Sequence, residues 1–396
     1  MSRSALSIVA CALVAAGVPA GGTDVIESKV ANFTIEEVAT GLQIPWAIAF
    51  LPDQRMLVSE RHAGRLSIVE PSDGSVTPLA GGPTDVFIKD NAGMLDVVLH
   101  PDFARNSLIY YAYTAGTDSL NTTVVERARL DGHHLVDRQR IFTALPWYHN
   151  SIVYGCRLAF LDGYLFITMG DRWDLRHLSQ SPGTHLGKIM RVHDDGSVPA
   201  DNPYNQITGA AHEVWAIGVR NPQGLAVQPG TGMLWEHEHG PLGGDEVNVI
   251  KPGRNYGWPV ISHGREYSDE PIGEGITAKQ GMEQPAHYYV PSIAPSDMTF
   301  YTGSAFPGWQ GDLFIGALAL THLNRLVVDG ETIVHEERLL EDKAWRIRTV
   351  AQGPDELIYI GVDDGLLLRL RPAGEKASTF VEDSATTTNP SNVTDR

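Results

Sequence analysis

AIAFLPDQRMLVSE (Ala47–Glu60) carries the pattern that decides the fold: an apolar run, a Pro/Asp turn and a second apolar run. The unit returns as RLAFLDGYLFITMGD (Arg157–Asp171), GLAVQPGTGMLWEHE (Gly224–Glu238) and TVAQGPDELIYIGVDD (Thr349–Asp364). Short alternating apolar stretches closed by Gly, Asp and Pro read as strand, turn, strand, and 40 Gly and 24 Pro supply the turns. Long segments of helical period are hard to find. Strand units that repeat with uneven insertions fit an all-β propeller, in which each four-stranded blade buries its faces against its neighbours and no long edge is left open. Roughly 350 ordered residues at about 40 to 60 per blade give six blades, a count that leaves seven open. Ring closure needs one mixed blade, so the early strand near Phe33 to Val38 is expected to pair with late strands around Leu357 to Arg371.

The chain ends read differently. Arg3, the apolar run Ala5 to Val18, and Val18-Pro19-Ala20 ahead of Gly21 have the form of a cleaved secretory signal over residues 1–20. A secreted or periplasmic location is therefore expected. The run is too short to cross a bilayer, and no later segment has the roughly 18 apolar residues a membrane helix needs. The propeller domain is expected over 21–372, and the Ser/Thr/Asp-rich, aperiodic stretch 373–396 as a disordered tail. With Cys11 inside the signal, Cys156 is the only cysteine left, so stability must come from the core rather than an internal disulfide. Asn32, Asn121 and Asn392 head Asn-X-Ser/Thr triplets that matter only in a host that glycosylates.

Lys and Arg number 30 against 48 Asp and Glu, a net charge of -18. Nucleic acid would be repelled. A small-molecule ligand fits better, with the chain a monomer or homodimer, and clustered carboxylates can also hold divalent cations.

Two Gly-rich stretches are too polar for plain blade turns: VRNPQG (Val219–Gly224) and WEHEHGPLGGDEVNVIKPGRNYGWP (Trp235–Pro259). Arg220 and Asn221 offer a donor fork and an amide to an anionic, ketone-rich ligand; the alternative is that Arg220 staples two blades by bonding carbonyls. In the second stretch the carbonyls of Gly240 and Pro241, the carboxylates of Asp245 and Glu246, and the Tyr256 carbonyl are hard oxygen donors suited to Ca2+. His237 and His239 would share one strand face, but they lack an evident third ligand and fit packed, hydrogen-bonded histidines better than a transition-metal site.

These two stretches, in this order, resemble the signature of the soluble PQQ-dependent aldose (glucose/sorbosone) dehydrogenase family. PWAIAFLPDQRMLVSERHAGRLSIV, AGMLDVVLHPDF, YGCRLAFLDGYLFITMGDR, THLGKIMRVHDDGSVPADNPY and WRIRTV are similar to further family blocks, so the likeness runs roughly from Gly41 to Arg371. The resemblance implies a six-bladed propeller that binds pyrroloquinoline quinone (PQQ) and calcium in its central funnel. It also implies oxidation of a sugar CH–OH group, with electrons passed to a quinone-type acceptor. Proton removal by a histidine and a Lewis acid at the quinone would both stabilise charge developing in the hydride transfer. By this likeness Arg220 and Asn221 contact the cofactor. Gly240 and Pro241 donate carbonyls to the cofactor-side calcium, Glu246 and Tyr256 serve a second, structural calcium, and Arg346 and Arg348 face the PQQ carboxylates.

Three positions depart from the family. Its catalytic histidine precedes a Gly-X-Arg-Leu block, and here that position is Val153, which cannot accept a proton; His149 nearby is the substitute the sequence offers. The expected glutamine is Asn91. The lysine often found after a Ser-Leu or Ala-Leu pair becomes Ala319, following Ala317 and Leu318. Loss of a general base costs about 10² to 10⁴ in rate, so weak activity or none is expected. Three functions follow: an exported sugar dehydrogenase, a propeller that binds PQQ or a sugar without catalysis, and a calcium-dependent lactonase. The last does not account for the Arg-Asn block.

Overall fold

The computed structural model describes residues 24–373. The expected signal and all but the first residue of the expected tail lie outside the described residues, as does Asn392.

Six four-stranded antiparallel sheets follow one another around a ring. The innermost strands, in chain order, are Pro45–Phe50, Met94–Leu99, Leu158–Leu161, Pro222–Val227, Pro295–Phe300 and Ile347–Gln352. Each pairs with the strand that follows it, and successive strands step outward. The hairpins are those of the repeated unit: Ile48 pairs with Val58 and Phe50 with Met56 across a turn in which the Leu51 amide donates to the Arg55 carbonyl at 2.8 Å. Blades packed on both faces explain why second strands such as Met56–Glu60 and Leu234–Glu238 are buried at every residue. Among the described residues the α-helical content is a single turn, Phe103–Asn106. No helix there is long and apolar enough to cross a membrane.

The sixth blade closes the ring as expected. Phe33–Ala39 pairs with Leu367–Pro372, and Glu36 forms ion pairs with Arg369 at 2.7 Å and with Arg371. The apolar cores run between blades rather than within them. One unites Trp46, Tyr110, Tyr154 and Met190 from blades one to three, and another joins Phe33, Val58, Trp309 and Ile360 across the closure. Cys156 is buried and unpaired, and burial raises its thiol pKa well above the usual range. Asn121 is fully buried, its side-chain oxygen taken by Tyr154 and Arg172. It cannot carry a glycan in the folded protein.

Below the rim, Arg157 spans the channel. Its guanidinium bonds the carbonyls of Gln223 and Ser296 and pairs with Asp96 at 3.2 Å, tying blades two to five together. On the side where the inner strands end lies a cavity of about 430 Å³ lined by their C-terminal halves. The residues picked out above lie on the opposite side.

Candidate functional site

The inner strands all begin at one end of the channel, and the links between second and third strands return there. In five of the six blades the pairing register slips at the first residues of the inner strand, at Pro45, Met94, Pro222, Pro295 and Ile347. Such bulges re-aim side chains beside functional sites. The backbone near this rim also takes left-handed angles at Asp90 (φ 49°), Val153 (56°), Arg172 (59°), Trp173 (60°), Ala294 (49°) and Leu320 (56°). For β-branched Val153 this is an outlier conformation, of a kind that gathers at functional sites.

On blades three and four, Arg220 is buried, and its Nη1 donates to the carbonyls of His239 (2.7 Å) and Gly240 (2.9 Å). It therefore does staple neighbouring segments, and its guanidinium also lies over the Trp173 and Trp258 rings at 5.6 and 5.3 Å. Glu238 accepts the backbone N–H groups of both Arg220 and Asn221, while the Asn221 side-chain oxygen accepts the Gly155 amide at 3.1 Å. Asp171 accepts the Trp258 indole N–H and the Trp173 amide, each at 2.7 Å. Burial pushes its carboxyl up to about 6, against the opposing pull of Arg220. Asp171, Trp173, Arg220, Pro241 and Trp258 line one small cavity.

The expected metal ligands divide. Asp245 is occupied: its carboxylate accepts the amides of Gly240, Ile293 and Ala294 and the Ser292 hydroxyl. It is a loop anchor rather than a free donor. Glu246 is buried on the same strand face as Glu236 and Glu238, which it joins through the pairing Glu238↔Glu246 and Glu236↔Asn248. Burial raises all three carboxyls, Glu246 to about 8, and Glu236 Oε1 has no hydrogen-bond partner. Glu238, Gly240, Glu246 and Tyr256 line a second small cavity. Buried carboxylates short of partners fit a hard cation, although no group of three or more His, Cys, Asp or Glu among the described residues has a ready-made metal-binding arrangement. His237 is buried with neither ring nitrogen partnered, and His239 bonds the Pro295 carbonyl at 2.6 Å. Burial lowers both imidazole pKa values, so they are neutral.

On the inner strand of blade six, Arg348 forms a two-point pair with Asp363 at 2.7 and 2.8 Å. Arg346 bonds Asp363 at 2.9 Å and the Leu318 carbonyl at 2.8 Å. The Ala317 to Ala319 turn is fixed by amides donated to His322, Ala294 and Ile293. Trp46 is overlaid by Arg61, Arg157 and Arg348 at 5.3, 5.5 and 5.0 Å.

Between blades two and three, the Asn91 amide donates to Ser151 at 3.1 Å, and the Asn91 side chain is exposed. His149 is also exposed and packs on the Tyr148 ring at 4.2 Å. Val153 is buried, and its carbonyl accepts the Arg172 amide at 3.2 Å.

Glu238, Asp171, Asp363 and Arg61 were not singled out from the sequence as site residues. A signal for the acids was available: the repeated units end at Glu60, Asp171, Glu238 and Asp363-Asp364, where each second strand reaches the rim.

A family model for glucose/sorbosone dehydrogenase matches residues 42–369. The aldose sugar dehydrogenase YliI of Escherichia coli K12 is 39% identical over 351 residues, covering 86% of this chain and 94% of that protein. The crystal structure of the soluble aldose sugar dehydrogenase from Escherichia coli in its apo form superposes with a TM-score of 0.82 at 39% identity, covering 86% of this chain and 99% of that one. The PQQ-bound aldose sugar dehydrogenase of Streptomyces coelicolor gives a TM-score of 0.70 at 28% identity over 86% of this chain and 98% of that one.

Proposed function

Because the chain belongs to the glucose/sorbosone dehydrogenase family, we propose that it is an exported PQQ- and calcium-dependent oxidoreductase of an aldose or related alcohol. The observation that carries this reading is the set of guanidiniums at one rim of the channel: Arg220, beside Asn221 where the inner strand of blade four begins, and Arg346 and Arg348 where that of blade six begins. Guanidiniums from two blades at one rim suit an anionic ligand better than a neutral one. When bound, PQQ supplies the hydride-accepting quinone and calcium the Lewis acid.

The chain's own contribution is binding, positioning and proton removal. Arg220 and Asn221 would hold the ligand from blade four, and Arg346 and Arg348 would pair with its carboxylates. The Gly240 and Pro241 carbonyls would hold one calcium, with Arg220 ceding its bond to Gly240; Glu246 and the Tyr256 carbonyl would hold the second. The Trp173 and Trp258 rings flank the Arg220 guanidinium. Val153 cannot take the substrate proton. Of the two other groups nearby, Asp171 is the better placed, because it shares a cavity with Arg220 and Pro241 while His149 is exposed beside Tyr148. Export rests on the Arg3 and Ala5 to Val18 segment, and electrons leave to a quinone-type acceptor.

The test is reconstitution of purified protein with PQQ and Ca2+, followed by dye reduction with a panel of aldoses. Turnover of at least one sugar is expected. Tight PQQ binding with no turnover on any sugar would instead favour a second reading, a binding propeller without catalysis, for which Val153 is the specific observation.

A further inference from the structure

We propose that Arg61 is a third anion-binding guanidinium of the funnel, positioned to pair with a carboxylate of the bound cofactor alongside Arg346 and Arg348; this rests on the PQQ reading above. Arg61 follows the second strand of blade one at the rim. Its amide donates to Ile44 at 3.0 Å, and its carbonyl accepts the Met94 amide at 3.1 Å. Gly93 lies against Arg61, where an added Cβ would meet the Arg61 carbonyl oxygen at 2.1 Å and its Cγ at 2.9 Å, and the side chain ends over Trp46 at 5.3 Å. Gly93, at φ 147°, thus lets the Arg61 backbone and the base of its side chain approach closely.

Arg61 differs from its neighbours in what it touches. Only 6% of its surface is exposed, and its buried Nε has no hydrogen-bond partner. Among the described residues its guanidinium makes no hydrogen bond or ion pair. Arg346 and Arg348 share Asp363, and Arg157 has Asp96 and two carbonyls. The adjacent Glu60 is committed to the Gln43 amide, Arg65 and Ser67. Asp363 is thus already shared by Arg346 and Arg348, and the Arg61 guanidinium has no carboxylate of its own. Burial and the two neighbouring arginines lower the Arg61 pKa to about 10, with Asp363 opposing, so it stays charged at neutral pH. A buried cation with no partner is costly unless an anion joins it, and the planar guanidinium fork matches a carboxylate.

The experiment compares wild type, Arg61→Met and Arg61→Lys for binding of PQQ and of redox-silent benzene-1,3,5-tricarboxylate by fluorescence quenching, and for the thermal midpoint without ligand. Expected is about 10- to 100-fold weaker PQQ binding in R61M, a shallower salt dependence, partial recovery in R61K, and an unliganded midpoint equal to or above wild type. R61M affinity within about twofold of wild type, or an unliganded midpoint several degrees lower, overturns the assignment while leaving the cofactor reading intact. If wild type binds the tricarboxylate through Arg61 but not PQQ, the cofactor reading falls and the anion site stands. If it binds neither, both fall.

Discussion

The Val153 carbonyl accepts the backbone N–H of Arg172 at 3.2 Å, which sets Val153, where the family resemblance implies a histidine, directly beside the loop that carries Asp171. The two segments belong to blade three but are separated by a hairpin, and they meet at the channel mouth.

Val153 holds φ 56°, a conformation that β-branched residues resist and histidine tolerates better. Val153→His is therefore expected to fold with stability unchanged or raised by up to about 1 kcal/mol. If no wild-type group takes the proton, its dye-reduction rate with PQQ and Ca2+ should rise by about 10² to 10⁴, and by much less if Asp171 already does. Val153→Gly should gain stability without the rate. A wild type already as fast as V153H would show that the base lies elsewhere.

If Asp171 takes the proton, it must be ionised to work. Its carboxyl is raised to about 6 by burial, so kcat should climb as pH rises through about 6 and level off above it. Asp171→Asn should lower kcat by about 100-fold or more with PQQ affinity kept, whereas His149→Ala should stay near wild type. The reverse pattern from steady-state kinetics would move the role to His149.

Glu236, Glu238 and Glu246 are packed as buried carboxyls with raised pKa values. Added Ca2+ should raise the thermal midpoint, by the equivalent of about 2.7 kcal/mol at a hundredfold excess over Kd. Glu246→Gln should remove that response while leaving the metal-free protein as stable as before. Differential scanning calorimetry with and without a chelator measures both.

The channel cluster gives a pH dependence of stability. Arg157 faces Asp96 and Asp297, and burial raises Asp297 to about 6, with Arg157 opposing and Asp96 adding to the rise. Between its ordinary value and about 6 the folded protein holds a proton that the unfolded chain has lost, so stability falls as pH rises across that window. The Asp297 side chain keeps 13% of its surface open, which limits the effect to on the order of 1 kcal/mol. Denaturant titrations at pH 4 and pH 7 should show this difference shrinking in Asp297→Asn.

The Pro/Asp/Gly turns between alternating apolar runs were legible as hairpins because strand period and turn chemistry act over a few residues. Closure by the Phe33–Ala39 strand was legible because a ring of complete blades leaves the first strand one possible partner. Arg220 and Asn221 could be picked out as a polar pair, yet not that Arg220 already bonds the His239 and Gly240 carbonyls. Asp245 looked like a metal donor because its carboxylate lies among glycines, and only folding brings the Ile293 and Ala294 amides to it.

The sequence by itself determined a six-bladed propeller, its family, and the absence of an imidazole at position 153, since each depends on local pattern or on residue identity. The tertiary structure decided which charges are paired. The ring brings Glu60 and Arg61 to the same rim as Asp171, Glu238 and Asp363, and Arg61 finds no carboxylate there while Arg348 finds Asp363. Partnership in a low-dielectric interior depends on ångström distances between blades far apart in sequence, and strand period carries no record of them.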